Sequence, residues 1–95
     1  MRYEVQTYMT PQEVTETAMG FFGVDLDLEL ENQAFGVLHF VGGGGHVTLT
    51  LKDEEPVTVE LETQEWDAQV EEFMARIARK HWWRRLWRGV KDELG

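Results

Sequence analysis

The stretch VDLDLELE, residues 24–31, alternates apolar and acidic side chains without a fault. A period of two belongs to an extended strand with one buried and one wet face, because successive side chains point to opposite sides. Similar runs follow in AFGVLHFV (34–41), HVTLTLK (46–52) and VTVELET (57–63). Between them lie Asn32-Gln33, four glycines (42–45) and DEEP (53–56), each short enough to turn one strand back on the last. Short turns between alternating runs predict an antiparallel meander. Residues 34–41 are apolar on both faces and fit the sheet interior. Val47, Leu49, Leu51, Val57, Val59 and Leu61 form the inward set of the last two strands.

Other segments flank this meander. RYEVQTYM (2–9) alternates and reads as a first strand. TPQE then starts a helix: Thr10 caps, Pro11 takes the first helical position and Glu13 completes a capping box. Val14, Ala18, Phe21 and Phe22 share one face, and Gly23 supplies a stop, so the helix is expected over 11–22. From Gln64 the period changes to 3.6. Trp66, Val70, Phe73 and Ile77 fall within an arc of about 60° on a helix. The expected fold is α+β: a single antiparallel sheet of about five strands in the order β-α-β-β-β-β-α, with a short N-terminal and a long C-terminal helix on one face. This layout resembles a shortened helix-grip or cystatin-like arrangement, a likeness of architecture that implies no activity.

The chain has 95 residues, enough for one small core, and neither cysteine nor serine, which excludes disulfides, thiolate sites and a serine nucleophile. The N-terminus lacks the apolar run of a signal peptide, and no stretch approaches the roughly 18 apolar residues of a membrane span, so a cytoplasmic protein is the expectation. Residues 1–75 carry 16 acids against two bases, Arg2 and Lys52, whereas residues 76–95 carry seven bases against two acids. An acidic body argues against nucleic acid as a ligand, because phosphate neutralisation needs a basic surface.

Each candidate site has a plainer reading. VGGGGH leads into another strand pattern rather than a helix, which favours a hairpin over a phosphate loop. His39 and His46 flank that loop, but two ligands do not make a metal site; a surface His46 and a packed, hydrogen-bonded His39 are expected. Asp25, Asp27, Glu29 and Glu31 form a carboxylate row, with Glu60 and Glu62 on another strand; their alternation places them on a solvated face, where a raised pKa for acid catalysis does not arise. No catalytic, cofactor or metal residue is assigned, and the balance is against an enzyme.

The remaining feature is KHWWRRLWRGVK (80–91). The apolar stripe of the C-terminal helix breaks near Lys80, where its next positions are His81, Arg84 and Arg88. Trp83, Leu86, Trp87, Val90 and Leu94 form a new face about 100° away, with Arg84, Arg88 and Lys91 off it. Residues 1–81 therefore read as the domain and 82–95 as a separate basic amphipathic tail. Trp83, Arg84, Leu86, Trp87, Arg88 and Val90 are the expected partner-binding residues, acting in a homodimer or on a protein partner. Packing on the chain's own domain, a membrane surface, and an apolar-ligand pocket lined by Phe35 or Leu38, Trp66 and Phe73, with His39 reaching in, are the alternatives.

Overall fold

The computed structural model describes residues 1–78. Strand β1 (Arg2–Thr7) is followed by helix α1 (Pro11–Ala18), which runs on as π-helical turns (Met19–Asp25). Strands β2 (Glu29–Ala34), β3 (Val37–Gly42), β4 (Gly45–Lys52) and β5 (Val57–Gln64) come next, and helix α2 occupies 67–78 within the described residues. All pairings are antiparallel and the spatial order is β1-β5-β4-β3-β2. The chain is thus an α+β fold with one five-stranded sheet.

The capping box forms as the sequence predicts. Glu13 N donates to Thr10 Oγ1 at 3.1 Å, and Thr10 N donates to Glu13 Oε1 at 2.8 Å. Thr7 ends β1 by accepting from Met9 N through its hydroxyl, so the strand stops short of the expected residue 9.

Two boundaries differ from the sequence reading. Gly23 does not end the first helix; the wider turns continue to Asp25, closed by Leu26 N donating to Phe21 O at 3.0 Å. The continuation buries adjacent aromatics in two directions: Phe22 packs on Phe40 of the sheet, while both Phe21 and Phe22 meet Phe73 of α2. It consumes the start of VDLDLELE. Val24 is 77% exposed, Asp27 turns the chain at φ 57°, and β2 begins only at Glu29.

The next turn moves correspondingly. It lies at Phe35-Gly36, with φ of 47° and 80°, rather than at Asn32-Gln33. A two-residue hairpin with both φ positive matches the twist of its strands, but a bulky residue in the left-handed region is uncommon. Phe35 is fully exposed there and lies outside the buried core. Leu38 and Phe40 of β3 face the helices, while Val37, His39 and Val41 face the other way.

The core between sheet and helices joins Val47, Leu49, Val57, Val59 and Leu61 to Val14, Ala18, Val70, Phe73 and Ile77, all buried. Leu51 and Trp66, expected on the buried side, pack against this core but are only half-buried. Trp66 precedes α2 instead of lying in its stripe, and its Nε1 donates to Gly42 O at 2.9 Å. Close contacts account for glycine at particular positions of the run. A Cβ on Gly43 (φ +60°) would stand 2.5 Å from Trp66 Cζ2, and one on Gly45 would collide with Gln64 O.

Phe73→Ala is expected to cost about 3–5 kcal/mol, because it empties the contact between both helices and the sheet; a chemical-denaturation midpoint close to that of the parent would refute the packing. Gly43→Ala should lower the melting temperature more than Gly44→Ala. Both positions have positive φ, but only the former meets a neighbouring side chain.

Candidate functional site on the open face of the sheet

Side-chain parity decides what the second face of the sheet carries. With Leu38, Phe40, Val47, Leu49, Val59 and Leu61 turned toward the helices, the residues between them point out. Among the described residues no helix covers that side. One cross-strand row runs Asn32, His39, Thr48, Glu62 and Arg2 through all five strands. The rows beside it hold Val41, His46 and Gln64, and Val37, Thr50, Glu60 and Glu4.

His39 and His46 are brought together here. Their ring centroids lie 5.6 Å apart, and each ring is tied to its own partner. His39 Nδ1 is 2.7 Å from Thr48 Oγ1, and its Nε2 is 3.7 Å from Glu31 Oε1. His46 Nε2 is 2.9 Å from Glu62 Oε1. Lys52 reaches Glu60 at 2.9 Å on the same face. The His46–Glu62 bond holds the Glu62 carboxyl below the usual carboxylate range; partial desolvation opposes the shift, and the charges of His46, the N-terminal ammonium and Arg2 add to it.

These side chains are partly exposed and face outward, a geometry suited to contact rather than to proton transfer in a dry pocket. Among the described residues no group of three His, Asp or Glu is placed to hold a metal ion. The glycine loop forms a tight hairpin into β4 and precedes no helix N-terminus. The anticipated carboxylate row is broken up: Asp25 sits in the π-helical turns and Asp27 in the link, leaving only Glu29 and Glu31 on β2. Trp83, Arg84, Leu86, Trp87, Arg88 and Val90 lie outside the described residues.

Strand parity puts His46 on one face with Thr48 and Thr50. It could not pair His46 with Glu62, because that requires the register of β4 on β5, which the length of the 53–56 turn sets.

The pH dependence has a definite sign. Glu62 has a lower pKa in the folded than in the unfolded chain, so its contribution to stability is present above the unfolded value and is lost as pH falls through the folded one. Glu62→Gln should therefore destabilise the protein slightly near neutrality and progressively less in acid. His46→Ala should raise the Glu62 carboxyl midpoint in an NMR titration; an unchanged midpoint would show that the 2.9 Å bond does not operate in solution.

The chain matches no family model, and no curated protein matches its sequence.

Proposed function

We propose that the chain is a small non-enzymatic interaction module that self-associates through its basic, tryptophan-rich segment 82–95. One observation supports this reading: residues up to Ala78 supply the packed centre of the helix side of the sheet. Val70, Phe73 and Ile77 are fully buried there, and Phe22 and Phe73 stand 5.0 Å apart between ring centroids. A further apolar set in the sequence, Trp83, Leu86, Trp87 and Val90, calls for a surface beyond that packed centre. Left in water, each large side chain would forgo roughly 1.5–3 kcal/mol of burial.

Charge favours a protein surface over lipid. The acidic body attracts the bases of 82–95 and repels an anionic membrane. No helix among the described residues is long and apolar enough to cross a membrane. The Phe21, Phe22, Phe40 and Phe73 cluster occupies the space that an apolar-ligand pocket would need, and Trp66 is engaged with Gly42.

Light scattering on the full chain and on a chain ending at Lys80 tests the proposal. The full chain should have the mass of a dimer and the shortened one that of a folded monomer. A monomeric full chain would overturn self-association, and capture of that monomer by anionic vesicles would assign the segment to membranes.

A further inference from the structure

Resting on that reading, we infer that segment 82–95 of one copy seats on the outward strip of β3 in a second copy, with Val37 and Val41 beneath its apolar face and Glu29 and Glu31 beside its arginines. Val37 and Val41 are the apolar residues that β3 turns away from the helices, and both are only half-buried. Thr50 and His46 of β4 lie opposite Val37 and Val41 on one side, and Ala34 and Glu29 of β2 lie opposite them on the other, with His39 between the two valines.

The lengths agree. Val37 and Val41 are about 13 Å apart along the strand, and Trp83 to Val90 spans about 10 Å as a helix. The charges agree as well. Arg84 and Arg88 fall on one flank of such a helix with a rise of about 6 Å between them, comparable to the roughly 7 Å between alternate strand residues. The carboxylates of Glu29 and of Glu31, at the irregularity between Leu30 and Asn32, lie along β2. On the other side Glu60 is met by Lys52 and Glu62 by His46, each at 2.9 Å, whereas on β2 Glu31 reaches His39 only at 3.7 Å, which leaves the β2 side as the better match for arginine.

A second copy is favoured over the chain's own sheet because of where α2 leads. Thr7 Oγ1 donates to Ile77 O at 3.1 Å, which anchors the end of described α2 beside edge strand β1 on the helix side. Three strand spacings, about 14 Å, separate β1 from β3, and helix and sheet layers stand roughly 10 Å apart. The five residues from Ala78 to Trp83 span at most about 18 Å. They cannot round the edge and lay Trp83 through Val90 along β3 of the same chain. A facing copy removes that limit, and reciprocal exchange makes a closed two-fold pair.

The test uses the full chain. Val41→Lys, and separately Glu29→Lys with Glu31→Lys, should each weaken the dimer by about tenfold or more while leaving the circular dichroism spectrum intact. Adding Arg84→Glu and Arg88→Glu to the double lysine variant should restore much of the affinity. If the chain ending at Lys80 is monomeric but the β3 and β2 variants dimerise like the parent, the seat lies elsewhere and the inference falls while the proposed function stands. If shortening the chain leaves the dimer intact, both fall.

Discussion

Phe22 touches Phe40 of β3 and Phe73 of α2, with ring centroids 5.5 and 5.0 Å away. This three-way contact is where the first helix, the sheet and the second helix become one core. It explains why α1 overruns Gly23: the additional turns keep Phe21 and Phe22 both buried, a larger gain than an early stop at a favoured glycine. The overrun in turn delays β2 and moves the following hairpin to Phe35-Gly36. One packing demand thus shifts two boundaries that local propensity would place elsewhere.

A second set of contacts ties the N-terminus and α2 to the sheet. Met1 donates from its ammonium group to Thr63 O at 2.7 Å, and Tyr3 donates its hydroxyl to Asp67 Oδ2 at 3.0 Å. Partial desolvation, then the bond and charge of Asp67, followed by Glu71, push the Tyr3 phenol up to about 12. At the other side of the sheet, Trp66 lies on the glycine hairpin. Gly42, Gly43 and Gly45 thus allow close approach of Leu28, Trp66 and Gln64 within the fold. With both ends of the helix layer held, the sheet has one committed face and one that the described residues leave open.

That asymmetry gives the charge pattern a place in space. Glu4, Glu29, Glu31, Glu60 and Glu62 come from β1, β2 and β5, and register sets the latter four around the histidines and valines of β3 and β4. Like-charged strands tend to resist edge-to-edge pairing. An oppositely charged segment meets no such resistance. Under the proposed function, the acidic body and the basic C-terminal stretch are two halves of one interaction rather than independent features.

Much of this was legible beforehand. The alternation of 46–52 and 57–63, the capping box at Thr10 and the Val70, Phe73, Ile77 stripe determined two strands, one helix start and the buried side of α2, because each depends on neighbours within a few residues. The excess of acids in residues 1–75 was likewise visible without coordinates. The length of the first helix, the Phe35 turn, the Trp66–Gly42 bond and the meeting of His39, His46 and Glu62 were decided only by the tertiary structure. Each depends on residues distant in sequence: Phe73 for the helix, β3 register for the turn, the β4–β5 register for the histidines. Local pattern determines which face a side chain prefers; the packed fold decides which partner it finds there.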